Sequence, residues 1–423
     1  MMSDSDKKWA FWALSCAFFV DFLGYAFIVP ILPSWRAEFA LSNTEATALV
    51  SLWAVPLFLL GPYTGRVTDR LGAGRTILFS LFALTIASLL YLVAMKVTSV
   101  DGFIILAIAR LIHGASGAAI LTAGFAAASD IWPTKFGEMS GKLIAMATIG
   151  GLMGPVVGGA TYTIGPEYAF IGLALITALI IPVVYVTTKE LGHGSQPAQG
   201  SVPLKVFIQN PVLFRIGLLV MMTTLATGAL EAGVPLFLKD NLGLNAAWIG
   251  AVLLVMVVAQ GLGGWLWGVL VDRNGPVRYM IFGWSIVTIT MIAAGYVAHT
   301  IADAVLAAYC IIVILGIFQF AISAAQVPML PMVDAATTQV YGEGGAGLAF
   351  GAFGTAWAAG TIVGPMVIGP VYDYTDSWGI TLGILAIPMA IGLLITLTNR
   401  QLLSDCYNSE MSKRLESNDM PYW

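Results

Sequence analysis

Charge is scarce in this chain. Lys, Arg, Asp and Glu make up only 10% of the 423 residues, whereas about 25% is typical of soluble domains. Apolar residues make up 58%, and the mean hydropathy is +0.87. This composition excludes an ordinary soluble globule and predicts a protein whose surface lies largely in a lipid bilayer.

Cysteine and histidine are also scarce, with three of each. Cys16 and Cys310 fall in apolar runs and Cys406 lies near the C-terminus, so the sequence predicts neither a disulfide framework nor a metal site. No spacing typical of a nucleophile and its base is recognisable, so we expect a protein that is not an enzyme and needs no cofactor. The net charge of -4, without a basic face, argues against a nucleic-acid partner.

Long apolar runs, by contrast, are abundant. A helix needs about 20 apolar residues to span a membrane, and continuous runs of this length predict helices rather than barrel strands. Twelve runs qualify, at about 9–33, 44–65, 75–96, 101–127, 139–163, 168–188, 212–238, 246–271, 278–299, 302–331, 344–371 and 378–399. No cleavage site for a signal peptide is recognisable, so we expect the first run to be retained. The predicted fold class is an all-α polytopic membrane protein with twelve transmembrane helices.

Two patterns recur along the chain. The Gly, Asp, Arg, Gly and Arg of the charged turn Gly65–Arg75 recur in Gly268–Arg278, each displaced by 203 residues. A second set recurs at a displacement of 210: Gly150, Gly154, Pro155 and Gly159 return as Gly360, Gly364, Pro365 and Gly369. Internal repeats of this kind predict two pseudo-symmetric six-helix halves.

The predicted halves are residues 1–190 and 212–400, with a Gly/Pro/Ser-rich linker at 191–211 and a polar tail at 401–423 that we expect to be partly disordered. With the N-terminus in the cytoplasm, fifteen of the 19 Lys and Arg residues fall on the cytoplasmic side and three on the other. This bias predicts that both termini are cytoplasmic. The expected location is the inner membrane of a bacterium, and the expected state is a monomer.

Only three ionisable residues lie deep within the runs: Asp21, Arg110 and Glu231. Such residues are costly in a membrane, so each is a functional candidate. If the first, fourth and seventh helices line one cavity, the three side chains share it. Asp21, with Tyr25 one turn later, is expected to bind a cationic substrate, which would displace a proton from its carboxyl group and so couple the two. The alternative is that Asp21 is permanently paired with Arg110 and holds two helices together.

Glu231 shares one helical face with Thr224 and Thr227. No Lys or Arg lies deep in its run, so we expect Glu231 to be protonated part of the time and to carry a proton. The alternative is a neutral Glu that is hydrogen-bonded to a neighbouring helix. Pro235 and the nearby glycines predict a local irregularity in this helix.

Arg110 keeps its proton, so its expected role is to influence the protonation of Asp21 or to bind an anion. His113 follows one turn later on the same face. The balance favours a packing role for His113, beside Gly114 and Gly117, over a role as a proton relay.

The remaining candidates for substrate contact are polar or aromatic. Gln319, Ser323 and Gln326 have helical spacing in the tenth run and are expected to face the cavity, although hydrogen bonds between helices explain them equally well. Trp53 and Trp357 are candidates for an aromatic wall.

The repeated motifs are conformational rather than chemical. Gly150, Gly154 and Gly159 put small residues where a second helix can approach closely, and Pro155 predicts a bend. In the charged turns, Gly65 permits close packing. The charged side chains are expected to contact helix ends at the cytoplasmic surface: Asp69, Arg70, Arg75, Asp272 and Arg273.

These motifs resemble those of the major facilitator superfamily. The two charged turns resemble its motif A, Gly150–Gly159 resembles the motif C of its proton-coupled antiporters, and Ala109–Gly117 looks like motif B. The resemblance spans nearly the whole chain. It implies alternating access of two six-helix halves.

Within the superfamily, Asp21–Pro33 and Leu230–Pro235 resemble helices one and seven of vesicular amine transporters and bacterial drug:proton antiporters. That resemblance implies that Asp21 recognises a cationic substrate. It further implies that Glu231 shares in proton coupling or in substrate contact, and that Arg110 takes part in proton coupling.

Three functions are compatible with these observations. The leading hypothesis is a proton-coupled antiporter that exports amphipathic or cationic small molecules. The second is a proton-coupled transporter of an organic anion, such as a carboxylate metabolite or siderophore, with Arg110 as its anion site. The third, a receptor or structural membrane protein, gives no reason for the two deep acids.

Overall fold

The computed structural model describes residues 4–97, 99–132, 135–188, 209–341 and 346–416, and their regular secondary structure is helical. One short 3₁₀ turn, Val29–Ile31, separates the first two α-helices. The α-helices are α1 (Asp4–Phe27), α2 (Leu32–Glu38), α3 (Asn43–Leu71), α4 (Ala73–Ala94), α5 (Ser99–Ile131), α6 (Phe136–Ile164), α7 (Pro166–Thr188), α8 (Pro211–Leu242), α9 (Ala246–Asn274), α10 (Val277–Thr300), α11 (Ala304–Gln326), α12 (Met329–Tyr341), α13 (Ala346–Thr375), α14 (Trp378–Gly383), α15 (Ala386–Thr398) and α16 (Arg400–Glu416).

Twelve helical segments in the described residues are long and apolar enough to cross a membrane. The predicted fold class is therefore confirmed. The first segment, Ser5–Glu38, is longer than its apolar run indicated. The prolines do not end this membrane-spanning segment. Pro30 and Pro33 stand at the starts of the 3₁₀ turn and of α2, where a missing N–H costs little.

Two local expectations stay predictions. Pro235 lies inside α8, which extends from Pro211 to Leu242, so the predicted irregularity would be a distortion within this helix. In the tail, which was predicted to be partly disordered, residues up to Glu416 belong to α16, and Leu403, Cys406 and Tyr407 of this helix are buried, whereas 417–423 lie outside the described residues. Burying these three side chains favours a helix in an otherwise polar segment.

The chain forms two compact units. Unit 1 comprises residues 1–200, 230–254 and 365–373, and unit 2 comprises 201–229, 255–364 and 374–423. Within unit 1, α1 packs mainly on α6, and α5 packs on α3 and α4. Unit 1 thus includes the C-terminal end of α8, the start of α9 and the end of α13, all from the second predicted half.

The repeated charged turn has the same backbone in both copies. Gly72 follows α3 with φ 83°, and Gly275 follows α9 with φ 80°, a region that favours glycine. The N–H of each glycine donates to the carbonyl four residues earlier, over 2.8 Å in both cases. The repeat read from the sequence is therefore also a repeat in local structure.

Three arginines of these turns are exposed: Arg70, Arg75 and Arg273. Gly65 was predicted to permit close packing, and this is wrong, because no described atom lies within 4 Å of the position its Cβ would take. The side chains of Asp69 and Asp272 lie outside what the structure describes, as does the linker from 189 to 208. The predicted contacts of these aspartates with helix ends therefore stay predictions.

Candidate functional site

Asp21 lies in the C-terminal half of α1 and is completely buried. Its carboxyl group faces Gly117 of α5, where an added Cβ would lie 2.9 Å from Oδ2 and 3.1 Å from Oδ1. Glycine thus leaves room for the carboxyl group. Within the described part of the chain, neither carboxyl oxygen has a hydrogen-bond partner. Unused acceptors on a buried acid mark Asp21 as a candidate binding group.

His113 of α5 contacts Asp21 in two ways. Its Nε2 lies 3.5 Å from Asp21 Oδ1 and 3.2 Å from the Asp21 backbone oxygen. Both side chains are completely buried, and among the described residues His113 Nδ1 has no hydrogen-bond partner. The sequence favoured a packing role for His113, whereas the structure places it directly against the predicted substrate acid.

Arg110 bonds to α3 and is not paired with Asp21. Its Nε donates to the Leu49 carbonyl over 2.8 Å, and its Nη2 donates to the Val50 carbonyl over 3.3 Å. The guanidinium group is buried, and Nη1 has no partner among the described residues. Arg110 therefore attaches α5 to α3. The partner of Asp21 in this structure is His113 and not Arg110.

Tyr25 connects α1 to the second predicted acid. Its hydroxyl donates a 2.5 Å hydrogen bond to Glu231 Oε2 on α8. Such a short O–H···O distance is typical of a bond to an ionised acceptor. The Arg110 guanidinium lies over the Tyr25 ring, 5.6 Å from its centroid. Asp21, Tyr25, Glu231 and Arg110 therefore belong to one cluster within unit 1.

Trp53 of α3 forms an aromatic wall for this cluster. Its ring lies 4.1 Å from that of Tyr25, 6.1 Å from Phe22 and 6.3 Å from His113, measured between centroids. Aromatic faces attract organic cations. The predicted substrate residues of unit 1 are thus brought together.

The remaining predicted contacts lie in unit 2. Ser323 donates to the Gln260 carbonyl over 2.8 Å, and the Gln260 amide donates to Gln326 Oε1 over 3.0 Å. Gln319 is buried, and its Oε1 has no partner among the described residues. Trp357 of α13 is half-buried. The helix-bridging alternative is therefore realised for Ser323 and Gln326.

The glycine motif of α6 lies against two other elements. Gly150 packs against the Phe19 carbonyl of α1, and a Cβ on Gly154 would lie 2.7 Å from the Leu23 carbonyl. Gly159 instead packs against the backbone of Ala246, the first residue of α9. Each glycine meets backbone, so a larger residue would push the helices apart.

Pro155 lies inside α6, as predicted, and its carbonyl faces Gly250 of α9. A proline frees backbone groups of its own helix. Here the neighbouring glycine lets α9 approach that turn closely.

The sequence did not indicate one polar residue, Gln260, or two pairings, that of Tyr25 with Glu231 and that of Asp21 with His113. Gln260 carries no charge, so the search for costly ionisable groups in α9 passed over it. The contact between Asp21 and His113 joins two helices, and only the spacing of His113 from Arg110 could have indicated it. That spacing placed His113 on the face of Arg110 but did not show which helix that face meets.

Residues 14–328 match the Major Facilitator Superfamily. The chain belongs to this superfamily. It is 24% identical to the human MFS-type transporter SLC18B1 over 82% of this chain and 77% of that protein. It is 27% identical to Multidrug resistance protein 2 of Bacillus subtilis, over 65% of this chain and 70% of that protein.

A further similarity, 27% identity over 55% of this chain and 58% of the relative, is to the class B tetracycline resistance protein of Escherichia coli. Among solved structures, a bacterial homolog of the human lysosomal transporter Spinster matches with a TM-score of 0.70 and 15% identity. That match covers 96% of this chain and 97% of the other, and it shows the fold. The chain is therefore an integral membrane transporter of this superfamily, with small molecules as its substrates.

Proposed function

We propose that this transporter is a proton-coupled antiporter that exports cationic or amphipathic small molecules by alternating access. The observation that carries the proposal is the cluster of unit 1. Two acids from different helices, Asp21 and Glu231, meet there around Tyr25 and Trp53. Asp21 supplies the negative charge for a cation, and the aromatic rings supply the apolar and cation-π contacts.

Antiport requires that a proton and a cation compete for the same negative charge. A carboxylate inside a membrane is costly unless it is protonated or paired. Asp21 has unused oxygens, and Glu231 is bonded through a neutral hydroxyl rather than to a cation. Either occupant, proton or organic cation, therefore lowers the energy of the cluster.

The relatives support an exporter. Several carry names that refer to multidrug or tetracycline resistance. We extend this direction of transport to the present chain, with both termini in the cytoplasm and the protein in a bacterial inner membrane as a monomer.

The alternative of an organic-anion transporter depends on Arg110. The N–H groups on the Nε–Nη2 edge of its guanidinium already donate to the carbonyls of Leu49 and Val50, so an anion would have to use the remaining N–H groups of Nη1 and Nη2. By contrast, neither carboxyl oxygen of Asp21 has a hydrogen-bond partner among the described residues. The geometry therefore favours a cation, and competition by organic anions against cations would distinguish the two.

The test uses proteoliposomes with an imposed proton gradient and tetraphenylphosphonium as the probe, because this cation has no proton of its own to lose. Asp21→Asn and Glu231→Gln are each expected to reduce gradient-driven transport at least about tenfold, the effect of about 1.4 kcal/mol. The matched control is Glu167→Gln, an exposed acid that is paired with Lys96 at the surface. If both cluster variants transport like the unmodified protein, the coupling assignment is wrong.

A further inference from the structure

We propose that His113 is a further coupling residue. In its protonated form it is the counter-charge of Asp21, and a monocationic substrate takes the place of that charge. This inference rests on the proposed function, because it names the group that holds the exchanged proton.

The hydrogen bonds of His113 indicate which nitrogen changes its protonation. The Asp21 backbone oxygen, 3.2 Å from Nε2, can only accept a hydrogen bond. Nε2 therefore carries a hydrogen in every state with this geometry. Nδ1 is the nitrogen that gains or loses a proton, and in the described part of the chain no other group occupies its lone pair.

The position of Nε2 also couples the charge of His113 to that of the Asp21 carboxyl group. Nε2 lies 3.5 Å from Asp21 Oδ1, and both side chains are completely shielded from solvent. In such a site the attraction between an imidazolium and a carboxylate is much stronger than in water. Loss of the Nδ1 proton leaves Asp21 as an unpaired buried carboxylate, which a cation would then stabilise.

Arg110 cannot take this role in the same geometry. Its guanidinium donates to the carbonyls of Leu49 and Val50, so it is attached to α3. Moving it to Asp21 would break both of these hydrogen bonds. His113 is already in contact with the acid.

The groups around the pair come from four helices. They are Arg110 of α5, Tyr91 of α4, which interacts with Arg110, Tyr25 of α1 and, bonded to Tyr25, Glu231 of α8. On α6, Gly150 and Gly154 pack against α1. On α7, the side chain of Leu173 approaches Gly24 of α1. None of these four residues carries a charge.

The charges of this cluster predict the stoichiometry. As long as Glu231 stays ionised, its negative charge cancels the positive charge of Arg110, and the Asp21–His113 pair decides the local charge. The pair is neutral when His113 is protonated and has one negative charge when it is not. When a monocation binds to the Asp21 carboxylate, the imidazolium of His113 becomes a neutral imidazole, and one proton is released.

The experiment measures tetraphenylphosphonium binding to purified protein in weak buffer, together with proton release. The unmodified protein is expected to release about one proton per bound cation, and its affinity should rise with pH by up to about tenfold per pH unit, because each bound cation replaces one proton. In His113→Gln the amide can still donate to the Asp21 carbonyl but cannot be protonated. That variant is expected to bind the cation, to release no proton and to show less than about a twofold change in affinity across the same range. His299→Gln, at an exposed position near the end of α10, is the matched control and should behave like the unmodified protein.

The outcomes separate this inference from the proposed function. If the unmodified protein neither binds tetraphenylphosphonium nor releases protons, the proposed antiport of cations fails. If His113→Gln keeps the pH dependence and the proton release, His113 is not the proton site, although antiport stands. Should His113→Gln fail to fold, isotope-labelled histidine in a variant with His193 and His299 replaced by Gln gives the answer by NMR. An imidazole that stays protonated when tetraphenylphosphonium binds overturns the inference.

Discussion

Thr163 in the last turn of α6 and Asp373 near the end of α13 are related by the displacement of 210 residues that also relates the glycines of these two helices. Thr163 Oγ1 accepts one hydrogen bond, over 3.2 Å, from the N–H of Ala247 in the first turn of α9. We call this the first end contact. Asp373 accepts four, from the backbone N–H groups and the side chains of Asn43 and Thr44 in the first turn of α3, over 2.6 to 3.1 Å. We call this the second end contact.

The two end contacts share their backbone geometry but not their chemistry. Both satisfy N–H groups at a helix start, where the helix dipole favours negative charge. A neutral hydroxyl does so in the first contact and a carboxylate in the second. Arg36 strengthens the second by bonding to Asn43 and forming an ion pair with Asp240. The two end contacts are therefore related by the repeat but differ in charge. We expect the free energy needed to break them to differ as well.

The largest expected effect comes from the glycines beside these contacts. Gly159 packs against the backbone of Ala246, and Gly369 packs against Asn43 and Thr44 of α3. Gly159→Val and Gly369→Val would each place a branched side chain against backbone, at a cost of about 1–3 kcal/mol. We expect transport to fall at least about tenfold in both variants, because about 1.4 kcal/mol changes a population tenfold.

Two matched reporters measure the opening in a background with the native cysteines replaced by serine. Ala46→Cys of α3 and Ile249→Cys of α9 correspond by the displacement of 203, and both positions are buried. A soluble maleimide should label each reporter faster when its own glycine is replaced. Gly172→Val, at a position of α7 with open space around it, is the control. Unchanged labelling in Gly369→Val would mean that close approach of α13 to α3 is not needed.

The next effect separates charge from shape. Asp373→Asn keeps one acceptor oxygen but removes the charge, and the site is exposed, so we expect a loss of about 1 kcal/mol. Thr163→Val removes a single neutral bond and should cost about 0.5 kcal/mol. Labelling at Ala46→Cys should therefore rise more in the first variant than labelling at Ile249→Cys in the second. Equal rises would show that the charge of Asp373 contributes nothing.

The sequence predicted the fold because its signals are local. Twelve apolar runs and two charged turns each depend on residues within one segment, and the paired glycines Gly72 and Gly275 need φ values that few other residues adopt. The helix in the tail was missed because its stability depends on burying residues such as Tyr407, and a polar segment gives no sign of that.

The site was predictable only in part, for a similar reason. Asp21, Arg110 and Glu231 were recognisable because charge is costly in a membrane. Which of them touch depends on how the helices are rotated, and periodicity does not fix that rotation between helices. Hence the bond of Glu231 to Tyr25 and the contact of Asp21 with His113 required the structure.

The smallest effect, and the sharpest test of the comparison, comes from giving the first end contact the chemistry of the second. Thr163→Asp would place a carboxylate at the start of α9, where the helix dipole should stabilise it by about 0.5 kcal/mol. We expect labelling at Ile249→Cys to slow about twofold relative to Thr163→Asn, the neutral control of the same size, and the difference to shrink in high salt as charges are screened. If Thr163→Asp is labelled faster than Thr163→Asn, then a helix start alone does not favour the carboxylate. The second contact would in that case owe its strength to the side chains of Asn43 and Thr44, which Ala246 and Ala247 do not reproduce.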